Sequence, residues 1–404
     1  KLGCLFVQNQ AADRIPRQYD GVLEQCLTAL LRSVDVELTP RPPEELLEEL
    51  KQEGSMKYLT EPIGKFLTLL KQSDMDAEAA HALGDERDRT GRFDLFFALF
   101  EPIYDAYEQQ LSDCDEIDFS DMIKKAIDHV ESGEYMSPYT HVLVDEFQDI
   151  SALRARLIRS LANQNPEAVL FAVGDDWQSI YRFTGSDIGL TREFQDAFGP
   201  TAITALDTTF RFGDLLGEVS SEFVLKNPDQ ISKQMKSHRQ GGSTAITLIP
   251  TSEHGLGLTR ALKSIVECLD AQEDSTATVL VLGRYHYSIE DWRTAEQKRR
   301  LKKDFPSLEI DLMTVHAAKG READYVIMLG VDRGKNGFPS HKRPEPIIEL
   351  LLPEREEYSY AEERRLFYVA LTRARCEAFV VYLREKPSVF VEEFIGRDGE
   401  GQLR

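Results

Sequence analysis

Two acidic side chains in succession, Asp145 and Glu146, stand at the end of the apolar run Val142-Leu-Val144, and a third, Asp149, follows four positions after Asp145. Carboxylates in that order suit a centre that hydrolyses a phosphoanhydride. One holds Mg²⁺, directly or through water, and its neighbour polarises the water that attacks the terminal phosphoryl group. In this reading Asp145 is the metal residue and Glu146 the base. Three β-formers running into acid fit a buried strand whose carboxyl end opens on a site, as α/β sheets arrange nucleotide chemistry. A lone Asp-Glu pair is better read as a strand leading into a solvated acidic loop, because such pairs are common. What lies downstream decides between the two.

A second apolar run, Val169-Leu-Phe-Ala-Val173, ends in Gly174-Asp-Asp-Trp-Gln-Ser-Ile-Tyr-Arg-Phe183. Between the two runs, apolar residues at 153, 157, 158 and 161 have helical spacing. The unit is β-α-β, so the strands should be parallel and both polar clusters should open on one face.

At this point the sequence resembles the superfamily 1 DNA helicases of the UvrD/Rep type, whose second and third motifs read much like Asp145-Glu-Phe-Gln-Asp149 and Gly174-Asp-Asp-Trp-Gln-Ser-Ile-Tyr-Arg-Phe183. Leu206-Asp-Thr-Thr-Phe-Arg-Phe212 is similar to their fourth motif and Met313-Thr-Val-His-Ala-Ala-Lys-Gly-Arg-Glu322 to their fifth. Glu362-Glu-Arg-Arg-Leu-Phe-Tyr-Val-Ala-Leu-Thr-Arg-Ala-Arg375 is similar to the sixth, so five motifs stand in order from Asp145 to Arg375. The resemblance implies two RecA-like parallel-sheet domains of the P-loop NTPase helicase fold, the first incomplete here. It also implies ATP and Mg²⁺ as nucleotide and cofactor, and movement 3′ to 5′ on single-stranded DNA with unwinding at duplex/single-strand junctions. Related motors carry a large helical insertion between the fourth and fifth motifs. With only about 100 residues between Arg211 and Thr314, that insertion is small or missing.

The arginines bear on catalysis. If a helix runs from Glu362 to Ala374, Leu366, Val369 and Ala370 form its apolar stripe and Arg373 falls almost on that stripe. An arginine facing the buried side needs an anion. A salt bridge to Glu362 or Glu363 would satisfy it, and spacing alone does not choose. The resemblance implies instead that Arg373 is an arginine finger on the γ-phosphate and Arg211 a second such contact, which would tie hydrolysis to domain closure. It further implies that Gln178 senses the γ-phosphate and that Glu322 hydrogen-bonds the ribose. The alternatives are an ordinary loop amide and an exposed loop carboxylate.

For DNA the candidates are Tyr181 and Phe183, which in an extended segment would point the same way and stack on bases. The alternative is that one or both sit in the core. The family commonly follows the second aromatic with arginine, whereas this chain has Thr184, which weakens the case for a phosphate contact there. Thr314 and His316 resemble residues that touch the DNA backbone or couple it to the nucleotide; a lone His beside a strand is otherwise simply hydrogen-bonded in place.

One family motif is missing. A phosphate-binding loop needs G-x-x-x-x-G-K-[ST], and neither Gly64-Lys65-Phe66 nor Gly334-Lys335-Asn336 supplies it. The chain also begins with Lys, so it is read as a carboxyl-terminal piece whose upstream part carries the loop, inactive as an ATPase alone. Net charge of −22 argues against broad electrostatic coating of DNA but suits a strand held by stacking and a few local cations. Five scattered cysteines without a CxxC pair indicate neither a disulfide framework nor a zinc site, and no apolar run reaches the roughly 18 residues of a membrane span. A bacterial cytoplasm, at the nucleoid, is the expected compartment.

The chain divides by pattern into a helical part of the first motor domain at 1–117, the remainder of that domain at 118–199, and a second RecA-like domain at 200–404. Acidic helical runs include Pro43-Glu-Glu-Leu-Leu-Glu-Glu-Leu50 and Arg92-Phe-Asp-Leu-Phe-Phe-Ala-Leu-Phe-Glu101, whose aromatics fit core contacts. Strands are expected at Ala245–Ile249, Ala277–Leu282, Ile310–Thr314, Tyr325–Leu329 and Ala378–Leu383. The expected protein is an ATP-dependent DNA helicase. The alternative is a catalytically silent helicase-like module that binds DNA or protein, against which stands the presence of Asp145, Glu146, Gln178, Arg211 and Arg373 together. A fused nuclease finds no further carboxylate and lysine cluster after Arg375.

Overall fold

The computed structural model describes residues 56–87, 91–239, 244–272, 276–398 and 402–403, so the acidic run Pro43–Leu50 lies outside the described residues. The chain forms two compact units. No helix among the described residues is long and apolar enough to cross a membrane.

The first unit gathers residues up to 140, with 151–168 and 344–352. Its helices are α1 (Met56–Gln72), α2 (Ala77–Arg87), α3 (Arg92–Cys114), α4 (Phe119–Glu131) and α5 (Ala152–Asn163). In α3, Phe93, Phe96, Phe97 and Phe100 recur at i, i+3, i+4 and i+7, which places all four on one stripe. All four are buried, with Phe66 of α1 edge-on to three of them at centroid distances of 4.9, 5.6 and 4.8 Å. These aromatics are core, as their pattern suggested. Helix α4 starts where Asp118 opens a capping box: its carboxylate accepts from the Ser120 and Asp121 amides while Asp121 accepts from the Asp118 amide. Behind it, the buried Lys71 ammonium sits 2.5, 2.9 and 2.7 Å from Glu108, Asp118 and Asp121, which ties α1, α3 and α4 together.

The second unit holds 141–150, 169–343 and 353–404, and with them every candidate site residue. Strands β1 (His141–Val144) and β2 (Val169–Ala172) pair in parallel, Val144 opposite Ala172, and α5 connects them in the chain, as a β-α-β unit requires. The expected burial of β1 is not found. Leu143 is 71 % exposed and Phe171 58 %, and since the two are paired across the strands they share one face of the pair that stands open among the described residues. Strands β3 (Thr208–Gly213) and β4 (Lys236–Arg239) form another parallel pair.

The main sheet contains β5 (Ile246–Thr251), β6 (Ala277–Gly283), β7 (Leu308–Thr314), β8 (Ala323–Leu329), β9 (Ala374–Leu383) and β10 (Gln402–Leu403) in the order β10-β5-β9-β8-β6-β7, all parallel except β10. All five expected strands are present, β9 starting four residues earlier than expected. Alternation along β6 sorts Leu280 and Leu282 into one core and Val279 and Val281 into another, so the sheet is buried on both faces. Helices α6 (Asp214–Val224), α9 (Ala361–Leu371) and α10 (Val389–Asp398) cover the first face, and α7 (His254–Gln272) with α8 (Ala295–Asp304) the second. The register pairs Gly283 of β6 with Thr314 of β7, which aligns the carboxyl ends of those strands and the loops that follow them.

Candidate active site

The loops after β1 and β2 are built as one piece. Glu146 adopts a left-handed backbone (φ 50°), which costs a non-glycine residue about 1–3 kcal/mol and turns the chain sharply after Asp145. The Glu146 carboxylate accepts from Gln148 Nε2 at 2.6 Å, and Gln148, buried, accepts at its other end from the Asp175 amide at 2.8 Å. Such closeness depends on Gly174. A Cβ there would lie 2.9 Å from Gln148 Oε1 and 3.1 Å from the Gln148 backbone nitrogen. Asp145 is exposed beside Glu146 and accepts the Glu146 amide at 2.8 Å. Oxygen-rich and solvent-facing, it fits a hard divalent cation.

The second loop is held from below. Asp175 accepts from the Trp177 amide at 3.1 Å and from Gln178 Nε2 at 2.7 Å, and pairs with the Lys233 ammonium. Asp176, 2 % exposed, accepts from Gln230 Nε2 at 2.6 Å and the Ile231 amide at 2.9 Å. Trp177 is fully buried, donates to the Ile231 carbonyl at 3.0 Å and meets Tyr368 edge-on. These contacts fix the one polar side chain of the loop that reaches across the site, Gln178.

Arg373 meets Gln178 from the other side: its guanidinium donates to Gln178 Oε1 at 3.2 Å and to the Val369 carbonyl at 2.9 Å. Helix α9 ends at Leu371, so Arg373 stands on the turn into β9 and not on the helical stripe expected for it. Thr372 is the C-cap, its ψ of 7° leaving the helical range, and its hydroxyl donates back to the Tyr368 carbonyl at 2.8 Å. Among the described residues Arg373 has no carboxylate partner. The salt bridge to Glu362 or Glu363 is absent, and Glu363 instead pairs with Arg284 at 2.6 Å. Burial, with the Arg211 charge nearby, pushes the Arg373 pKa down to about 10. Asp175 and Glu146 offset this from a distance, but neither is in direct contact, and a buried cation beside another cation is costly unless a directly bonded anion is supplied. Arg211 itself, on β3, is 3.2 Å from Glu322, which Arg375 also grips; the Arg375 hydrogen bond, then Arg211, holds the Glu322 carboxyl below its usual range.

Tyr181 and Phe183 do not lie in an extended segment. Residues Arg182–Thr184 form a 3₁₀ turn, yet the two rings still meet, at 6.0 Å, because His316 fills the angle between them at 6.1 Å from Tyr181 and 5.2 Å from Phe183. Tyr181 packs on the core and donates to the His316 carbonyl at 3.2 Å, while Phe183 is 39 % exposed. Burial, then the Arg284 cation, pushes the His316 pKa down to about 4, so at neutral pH it is an uncharged ring. Thr314 is buried and accepts the Ala317 amide at 3.3 Å, shaping the turn that presents His316. Sequence reading missed Lys319, whose ammonium lies 2.5 Å from Asp149, 3.0 Å from the Gln178 carbonyl and 3.8 Å from Glu146. It also missed Lys233. Neither lysine has a local spacing that would reveal its partner.

The family model described as the UvrD/REP helicase N-terminal domain matches residues 23–199, and the UvrD-like helicase C-terminal domain matches 289–385. DNA helicase IV of Escherichia coli is 39 % identical over 345 residues, which cover 84 % of this chain and 48 % of that protein. A probable DNA helicase of Mycoplasma pneumoniae is 27 % identical over 309 residues, 72 % of this chain and 52 % of that protein. The putative ATP-dependent DNA helicase YjcD of Bacillus subtilis is 30 % identical over 156 residues, 37 % of this chain and 20 % of that protein. The chain thus spans about half the length, or less, of these relatives.

Proposed function

Since the chain belongs to the UvrD/REP family of superfamily 1 helicases, we propose that these loops are the hydrolytic face of an ATP-driven motor that moves 3′ to 5′ on single-stranded DNA and opens duplex at single-strand junctions. The observation that supports this most is Arg373, a buried guanidinium without an ion pair among the described residues, aimed at Gln178 with Arg211 alongside. A γ-phosphate is the anion that such a pair would take.

Each residue then has one task. Glu146, turned by its backbone and bonded to Gln148, draws the proton from the attacking water. Asp145 would hold Mg²⁺, whose charge offsets that of the phosphate oxygens. Arg373 and Arg211 stabilise charge on the transferring group, Gln178 reports its presence, and Glu322 faces the ribose. Tyr181, Phe183 and His316 form the wall along which DNA passes, and Thr314, buried behind it, shapes the turn that presents His316. The division at 117/118 and 199/200 into a split first motor domain and a second one belongs to the same proposal, as does work at the bacterial nucleoid.

A chain that includes a phosphate loop should hydrolyse ATP in response to single-stranded DNA. This 404-residue chain, which has no G-x-x-x-x-G-K-[ST] run, should not. Phosphate release by both, with and without an oligonucleotide, checks the proposal. ATP turnover by the 404-residue chain above a Glu146→Gln control, or a longer chain indifferent to DNA, would overturn it.

On the DNA wall, Phe183→Ala should weaken single-strand binding by about 1–3 kcal/mol irrespective of base sequence, because every base offers a π-face. Phe183 is partly exposed, so the variant should stay folded, unlike the loss of a core Phe at about 3–5 kcal/mol. Fluorescence anisotropy beside thermal melting separates the two; unchanged affinity with a large fall in Tm would return Phe183 to the core.

A further inference from the structure

We infer that Lys319 transmits the state of the DNA wall to the hydrolytic carboxylates. The inference rests on the proposed function and names the residue through which one half of that site would regulate the other.

Lys319 follows directly on the turn His316–Ala318 after β7, so its backbone moves with Thr314 and His316. Its head is elsewhere. The ammonium, on a side chain only 9 % exposed, reaches Asp149 Oδ2 at 2.5 Å, the Gln178 carbonyl at 3.0 Å and Glu146 at 3.8 Å. It also lies 5.0 Å from the centre of the Tyr181 ring, whose hydroxyl is bonded to the His316 carbonyl. One cation therefore touches the base, the nucleotide sensor and an aromatic of the DNA wall at once.

The arrangement has slack on the carboxylate side. Asp149 Oδ1 is buried without a hydrogen-bond partner among the described residues, so Asp149 is half satisfied, and Glu146 is at the outer limit of an ion pair. A cation held between a π-face and two acids shifts towards the acids when the face is lost or tilted, because the ring's attraction is the weakest of the three. A base that stacks against Tyr181 and Phe183 would move that ring. Lys319, already in contact with Asp149 Oδ2 at 2.5 Å, would answer by swinging about that contact toward Glu146 at 3.8 Å, which resets the charge beside the attacking water. Lys319 is thus a positioning residue acting through Glu146, with no contact to substrate assigned to it.

The test is the ratio of ATP turnover at saturating DNA to turnover without DNA, in a chain that includes the phosphate loop. Lys319→Met should lower that ratio by about 10-fold or more, in the range of a coupling between two sites. Single-strand affinity, read by anisotropy, should stay within about 2-fold, since coupling and not binding is removed. Lys319→Arg, which keeps the charge and the ring contact, should recover part of the ratio. Tyr181→Leu at saturating DNA should reproduce the loss with Lys319 in place, and this second variant serves if Lys319→Met fails to fold. Both rates falling in proportion, with the ratio kept, would reduce Lys319 to a structural ion pair and overturn the inference. A wild-type chain without DNA-stimulated turnover would instead overturn the functional proposal on which it rests.

Discussion

Arg373→Ala, in a chain that includes the phosphate loop, should lower DNA-stimulated ATP hydrolysis by about 10³-fold or more, the usual worth of an arginine finger. The size follows from where the guanidinium stands. It is 1 % exposed, forms no ion pair among the described residues and shares its surroundings with the Arg211 charge, while Asp175 and Glu146 act on it only from a distance, so a phosphate would be its first directly bonded anion. Folding should suffer less than activity. The variant loses the bond to the Val369 carbonyl at 2.9 Å and some packing, but no ion pair is broken and a repulsion is relieved. Steady-state phosphate release and thermal melting on the same preparation distinguish the outcomes. Intact turnover with a lowered Tm would mean that Arg373 only packs the turn between α9 and β9.

The second large effect belongs to Glu146. Glu146→Gln should leave nucleotide binding within a few-fold of wild type while removing about 10²–10⁴ of the rate, because the amide keeps the shape of the side chain but takes no proton. The local geometry favours a clean comparison. The left-handed turn at Glu146 is a backbone property that glutamine inherits, and an amide oxygen can still accept from Gln148 Nε2, now at 2.6 Å. Equilibrium binding of a fluorescent nucleotide beside single-turnover hydrolysis reads both quantities. Loss of binding together with loss of rate would make Glu146 a structural or metal-holding group.

Much of this molecule can be read from its chain, and the limits fall where local pattern stops carrying information. The five main strands are legible because four of them carry apolar stretches buried on both faces of the sheet, as the separation of Leu280 from Val281 into different cores illustrates, while edge strand β7 alternates apolar Ile310 and Leu312 with Glu309 and Asp311. The Phe stripe of α3 and the Asp118 capping box are legible for the same reason, since both are written within one or two helical turns. Burial of β1 is not, because the run Val142–Val144 says nothing of whether a neighbour covers Leu143. Strand β4 is invisible as Lys236-Ser-His-Arg239, a polar segment that becomes a strand only by pairing with Thr208 and Thr209. Arg373 fails as a helical residue because apolar spacing cannot reveal that the chain leaves the helix at Thr372 to pair Ala374 with Ala323 in the sheet. Lys319 is the plainest case: its partner Asp149 is 170 residues away, and only the fold brings them together.

The most direct measurement is nucleotide affinity with and without the third phosphate, for wild type and Arg373→Ala, in a chain that includes the phosphate loop. If Arg373 meets the γ-phosphate, the variant should lose about 10-fold or more in affinity for a non-hydrolysable ATP analogue, as expected when a charge-assisted bond of about 1.5–3 kcal/mol is removed. ADP affinity should be unchanged. Equal losses for both nucleotides, or no loss for either, would contradict a γ-phosphate contact and with it the assignment of these loops as the hydrolytic face.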